Sequence, residues 1–159
     1  MVGQRLQPAI FPAGRPARSN GRAAPLRAHL ARERPNFAPA RLRDGDGKLH
    51  ADGSGFGLEL PADLTARLRP YTGHDVIVGV RPEDLQVANG SAPPGLCFDA
   101  MVEVVERLGA EVLLDLQVGQ QTMVASVEPT VAARRGDKLR FALKAERLHF
   151  FDATSEAAI

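Results

Sequence analysis

The chain has 159 residues, a formal net charge of +1 and one cysteine, Cys97. This length suits one domain with a hydrophobic core and excludes two large ones. A lone cysteine excludes an intrachain disulfide and a cysteine-rich zinc site, and Cys97 is expected to be a small buried side chain. No run approaches the roughly 18 apolar residues that cross a bilayer, and no secretory signal opens the chain. We therefore expect a cytoplasmic location.

Charge is divided unevenly along the chain. Residues 1–35 hold seven arginines and one acid, a balance of +6, whereas the other residues hold 13 basic and 18 acidic side chains, a balance of −5. Five prolines and few apolar residues leave the first segment without a face to bury. Residues 1–35 are predicted to be a disordered tail, which would also permit a basic arm for nucleic acid.

Short alternating runs begin at Asn36. KLHADGSGFGLEL predicts two strands joined by a turn at residues 52–55, and a brief helix follows over about residues 63–68, ended by Pro70. DVIVGV predicts a further strand. The charged stretch RPED follows it, and Pro82 should end the strand and start a turn. Arg81 is then free to pair with a carboxylate of its own turn or of a partner.

The strongest pattern is a three-stranded meander in CFDAMVEVVERLGAEVLLDLQVGQQTMVASV. Val102 and Val104 alternate with Glu103, four apolar residues share one face from Val112 to Val118, and Gly119 and Gln120 suit a two-residue turn. KLRFALK and RLHFF close the series. About seven short strands with at most one short helix predict an all-β, OB-like barrel at residues 36–152 and a C-terminal tail at residues 153–159.

Motifs for catalysis are absent from the sequence. It contains no phosphate-binding GxxxxGK[ST] loop, no GxGxxG, no HExxH and no GxSxG, and its four histidines lie at no ligand spacing. DGDGK at residues 44–48 resembles the start of a calcium loop but lacks the closing acid. The sequence therefore predicts no catalytic, metal or cofactor site.

Three phrases resemble a known family, the ATP-binding subunits of carbohydrate ABC importers of the maltose and glycerol-3-phosphate type. Their C-terminal OB-like (TOBE) region shows a G-[IV]-R-P-E-[HD]-L strand and turn, a V-E-x-x-E-x-L-G hairpin and a closing E-R-x-H-x-F-D strand. Similar phrases occur here in the same order at Gly79–Leu85, Val102–Gly109 and Glu146–Asp152, and NFAPARL at residues 36–42 is similar to the phrase that enters this region.

The resemblance implies a cytoplasmic regulatory module that forms a homodimer or joins a twin ATPase subunit, receives a regulatory protein in some members, and contacts the membrane only through the permeases. It does not imply ATP hydrolysis, because the motifs of the ATPase domain are missing. Arg81, Glu83 and His149 are the predicted regulatory or interface residues. Residues 1–35 do not resemble the end of an ATPase domain. This suggests a fragment whose upstream sequence was lost to a frameshift or a mis-assigned start, and the alternative is a genuine short protein with a disordered arm.

Two alternatives remain open at this stage. One is an OB-type nucleic-acid binder with a basic arm, against which stand the acidic body, the absence of tryptophan and the single tyrosine, Tyr71. The other is a small oxyanion site, for which Arg81 and the pair Arg134 and Arg135 are the basic candidates in the turns.

Overall fold

The computed structural model describes residues 35–159, so nearly all of the predicted tail lies outside the described residues. This part of the chain forms ten strands, one α-helix and four short 3₁₀ segments. The strands are β1 Asn36–Gly45, β2 Lys48–Gly53, β3 Phe56–Glu59, β4 Asp75–Val80, β5 Gln86–Val87, β6 Cys97–Arg107, β7 Val112–Val118, β8 Gln121–Val127, β9 Lys138–Ala142 and β10 His149–Asp152. Helix α1 is Ala62–Leu68, and the 3₁₀ segments are Arg69–Tyr71, Pro82–Asp84, Pro94–Leu96 and Ala145–Arg147.

Two antiparallel sheets of five strands enclose one core. The first sheet has the order β10-β4-β1-β2-β3 and the second has the order β5-β9-β6-β7-β8. Fully buried side chains from both sheets form a continuous apolar cluster, in which Phe98 and Phe141 stack with ring centroids 6.0 Å apart. The prediction of an all-β fold with one short helix is confirmed, with ten strands rather than about seven.

Strand β1 is the central strand of the first sheet although it contains a proline. Ala38, Ala40 and Leu42 face the core. Pairing with β2 begins only at Ala40, whereas pairing with β4 extends back to Asn36. Pro39 therefore lies beyond the end of the β1–β2 ladder, where the N–H that proline lacks has no strand to bond.

The meander β6–β7–β8 is confirmed, with one difference in strand β6. The register with β7 shifts between Val102 and Val104, as in a β-bulge. Val102 is buried, but Val104 is exposed instead of sharing its face. A bulge adds one residue to one strand, so side chains beyond it change sides, and simple alternation could not show this.

Hairpin tips from the two sheets meet at two glycines. Gly55 and Gly119 both have positive φ, and a Cβ on either residue would overlap the backbone of the other hairpin. The Gln120 N–H also donates to Ser54 Oγ at 2.9 Å. Only glycine allows this close approach, so the turn residues that shape each hairpin also join the two sheets.

Residues 153–159 fold back along β10. Ala153 is buried, the Asp152 N–H donates to Ala157 O at 2.9 Å, and the Ile159 N–H donates to Phe150 O at 3.0 Å. An isolated bridge between Phe151 and Ala158 completes the contact. These residues cover the outer edge of β10, while a domain boundary at Asp152 stays a prediction.

Candidate regulatory interface

The RPED stretch forms the turn that the sequence predicts. Strand β4 ends at Val80, and the 3₁₀ segment Pro82–Asp84 follows with the Asp84 N–H donating to Arg81 O at 3.0 Å. Pro82 is buried, and the segment packs against β8 of the second sheet. Proline fixes its own φ and donates no ladder hydrogen bond, so it ends the strand where the chain must cross between sheets.

The ion pair at this turn does not use Arg81. Instead, Arg147 Nε lies 3.7 Å from Asp84 Oδ1, and the Asp84 side chain is mostly covered. Arg81 and Glu83 are both exposed, and neither makes a side-chain hydrogen bond or ion pair within residues 35–159. Expecting Arg81 to pair with a carboxylate of its own turn was therefore wrong, because Arg147 from the segment before β10 takes that place.

His149 joins the same end of the first sheet through strand pairing. It begins β10 and lies opposite Gly79 of β4, two residues before Arg81. Its side chain is exposed, as are those of Arg81 and Glu83. The structure thus brings the three predicted residues to neighbouring positions at one sheet end, and what they contact stays a prediction.

An aromatic pair that sequence reasoning missed covers the sheet beside them. The Phe37 and Phe151 rings meet edge to face, with centroids 5.9 Å apart, over Gly79. A Cβ at position 79 would lie 3.3 Å from Phe151 Cε2 and 3.4 Å from Phe37 Cε1. The signal available in the sequence was this glycine in an otherwise apolar strand, which often marks a close approach.

Asn36 was also missed, although it ties the two sheets together. Its Oδ1 accepts from the Val124 N–H at 2.7 Å, and its Nδ2 donates to Val124 O at 2.9 Å. An amide side chain can donate and accept at once, so Asn36 imitates a strand neighbour at the outer edge of β8. Such an edge would otherwise present unpaired backbone groups.

Residues 35–159 contain no cluster of metal ligands, and the single cysteine is buried. No three His, Cys, Asp or Glu side chains in this range lie close enough together to hold an ion. Cys97 is buried, as expected, and its Sγ lies 3.2 Å from Pro93 O. No helix among these residues has the length and apolar character needed to span a membrane.

Two family models match the chain in succession. The MalK OB fold domain matches residues 36–85, and the TOBE domain matches residues 78–151. The chain belongs to this family of OB and TOBE domains, which forms the C-terminal regulatory region of sugar ABC importer ATP-binding subunits, and the resemblance is confirmed.

The relatives that this chain matches include ATP-binding proteins of transport systems. The chain is 34% identical over 128 residues to the sulfoquinovosyl glycerol transport ATP-binding protein SmoE of Agrobacterium fabrum, a match that covers 78% of this chain and 33% of that protein. It is 39% identical over 106 residues to the sn-glycerol-3-phosphate import ATP-binding protein UgpC of Cereibacter sphaeroides, covering 66% and 29%. The chain thus spans about a third of the length of these relatives.

A solved structure supports the fold alone. The cytoplasmic molybdate-binding protein ModG superposes with a TM-score of 0.51 at 13% identity, over 72% of this chain and 94% of ModG. At 13% identity, this superposition shows only that the two proteins share a similar arrangement of strands.

Proposed function

We propose that this chain is the regulatory and dimerisation region of the ATP-binding subunit of an ABC importer for sugars or glycerol 3-phosphate. The observation that carries the proposal is the unbroken match of residues 36–151 to the two domains, together with the transport functions named for the relatives. Such a region works in the cytoplasm and reaches the membrane only through the transporter's permeases.

The surface proposed for dimerisation is the apolar stripe of β6, which we define as Met101, Val104 and Leu108. These large hydrophobic side chains are 42%, 45% and 39% exposed, and they lie along β6 and at its end. The bulge in β6 contributes to the stripe because it turns Val104 outward. Large apolar side chains grouped on a surface favour contact with a partner, here a second copy of the chain or the twin subunit.

A regulatory protein is proposed to bind at the other sheet, through Arg81, Glu83 and His149. All three side chains are exposed, and Arg81 and Glu83 make no side-chain hydrogen bond or ion pair among the described residues. Charged groups held on a fixed turn but left without local partners suit the polar part of a transient interface.

The chain is proposed to have no ATPase activity of its own and to require no cofactor. Its sequence lacks the phosphate-binding loop, and its family match is confined to the OB and TOBE domains. Hydrolysis would be the task of an ATPase domain, which these residues would join to its twin.

Size-exclusion chromatography with light scattering over a range of concentrations tests whether the chain dimerises through the apolar stripe of β6. The unchanged chain should pass from monomer to dimer as concentration rises, and M101D should shift this transition to higher concentration. The matched control is A66D, because Ala66 is exposed on α1, away from β6. A chain that stays monomeric at every concentration, or an equal effect of A66D, would contradict the proposed surface.

Nucleic-acid binding remains the competing function. Phe37 and Phe151 lie outside the core, and their rings pack on each other. A protein that binds single-stranded nucleic acid instead exposes aromatic ring faces on which bases stack. We therefore expect no tight, salt-dependent binding of a labelled oligonucleotide, and such binding would place this alternative first.

A further inference from the structure

An open cleft of about 660 Å³ lies on the second sheet, between β6 and the loop that joins β8 to β9. It begins where the bulge interrupts β6, and its wall on that side includes Glu103, Val104 and Arg107. The loop contributes Arg134 and Arg135. The fold thus brings Arg107 of β6 beside two arginines of a loop that lies much later in the chain.

Backbone hydrogen bonds hold the loop against β6. The Gly136 N–H donates to Val102 O at 2.7 Å, and the Val102 N–H donates to Asp137 O at 2.8 Å. Asp137 also closes the turn, since its Oδ2 accepts from the Arg134 N–H at 2.9 Å. The Cα positions of Arg134 and Arg135 are therefore fixed relative to Arg107 before any ligand arrives.

These arginines form no ion pair within residues 35–159. Arg107, Arg134 and Arg135 make no side-chain hydrogen bond or ion pair among residues 35–159, and all three are exposed. Five other arginines in this range pair with a carboxylate, namely Arg41, Arg43, Arg69, Arg140 and Arg147. Grouping three guanidinium groups raises their mutual repulsion, which an anion between them would relieve.

We propose that this cleft binds the phosphate group of a phosphate monoester through Arg107, Arg134 and Arg135. A guanidinium presents a planar fork of donors that matches two phosphate oxygens at once, and charge-assisted hydrogen bonds of this kind are stronger than neutral ones. Val104 and Val105 give the cleft an apolar wall, which suits the organic part of an ester better than inorganic phosphate alone.

Glu103 opposes the anion from the same cleft. Its carboxylate repels phosphate and competes with it for the guanidinium groups. Replacing it by glutamine should therefore tighten binding, an effect opposite in sign to that of the arginine substitutions.

The proposed phosphate site does not depend on the proposed function. Calorimetric titration of the full chain with sn-glycerol 3-phosphate and with inorganic phosphate tests it. We expect binding of both at low ionic strength, with the ester bound more tightly. R107A, R134A and R135A should each weaken it by about fivefold, the upper end for an exposed charge contact, and E103Q should strengthen it. The matched control is R43A, since Arg43 pairs with Asp52 on the first sheet and should not affect binding.

Three outcomes would overturn the site. Chloride at equal ionic strength could produce the same heat, R43A could weaken binding as much as R134A, or binding could survive in R134A/R135A. The last result would place the anion on other basic side chains, among them the seven arginines of residues 1–35. Repeating the titration with M101D separates the two proposals. Val104 belongs both to the apolar stripe and to the wall of the cleft, so loss of the dimer should leave the cleft open and phosphate bound at least as tightly as by the unchanged chain.

Discussion

The outer faces of the two sheets differ in how many of their exposed side chains find a partner within the chain. On the first sheet, Arg41 pairs with Asp75, Arg43 with Asp52 and Lys48 with Glu59, and two phenylalanines cover Gly79. On the second sheet, the apolar stripe of β6 is exposed, and the arginines of the neighbouring cleft have no ion-pair partner within residues 35–159. Most of the first face is completed by the chain itself, whereas the second presents groups that suit a partner or ligand.

A shared core should make the two sheets unfold together despite this difference. Phe141 belongs to the second sheet and Phe150 to the first, and both are fully buried. We expect F141A and F150A each to lower the free energy of unfolding by about 3–5 kcal/mol, as the loss of a buried ring and the remaining cavity require. Urea unfolding followed by two probes measures this effect. Separate transitions for the two sheets would show that the core is not continuous.

Asn36 tests the connection between the sheets. N36A leaves the Val124 N–H and C=O without their partner, so we expect a loss of about 1–3 kcal/mol in the free energy of unfolding. N36D is the informative control, because aspartate still accepts from the Val124 N–H but cannot donate to Val124 O. An unchanged stability in N36A would mean that packing alone joins the sheets.

The terminal turn should respond to pH through Asp152. The backbone N–H groups of Ser155 and Thr154 hydrogen-bond its carboxylate and lower its pKa below the ordinary value of 3.8, against the opposing effect of burial. Because the folded pKa is lowered, the stabilisation is present above pH 3.8 and is lost as pH falls through the folded pKa.

The amide NMR signals of Thr154 and Ser155 should therefore shift as the pH falls through the lowered pKa of Asp152. D152N should remove most of the pH dependence, since an amide oxygen can accept the same bonds without titrating. Signals that move equally in D152N would assign the effect to another group.

The smallest effect is expected from the ion pairs of the first sheet. R43A removes the contact of Arg43 Nε with Asp52 Oδ2 at 2.7 Å, but both side chains are well exposed to solvent. Exposed pairs contribute at most about 1 kcal/mol, so thermal unfolding should change little and added salt should reduce the difference further. A larger loss would mean that this face contributes more than surface charge.

Local chemistry explains which parts of the fold could be predicted. The hairpin turns were predictable because Gly55 and Gly119 suit positive φ, and the end of β4 was predictable because Pro82 cannot continue a ladder. Strand β1 gave a weaker signal, since Pro39 interrupts it and alanines supply part of its buried face. Its place at the sheet centre depends on pairing with the distant strand β4 as well as with the adjacent strand β2.

Long-range contacts explain what could not be predicted. Asn36 and Val124 are 88 residues apart, and nothing near either residue indicates their pairing. The alternating sequence of β6 likewise does not indicate where its bulge lies. The bulge nevertheless exposes Val104 and lies at the start of the cleft that contains Arg107. Arg134 and Arg135 were recognisable as basic turn residues, but only the fold brings Arg107 to them.

Backbone hydrogen exchange of the unmodified chain in dilute and concentrated solution tests most directly whether the second sheet is the contact face. The account predicts that protection rises with concentration at residues 101–108 and their neighbours on the second sheet, while the exchange of β1, β4 and β10 stays the same. Protection that rises instead on β4 and β10, or at neither sheet, would contradict it.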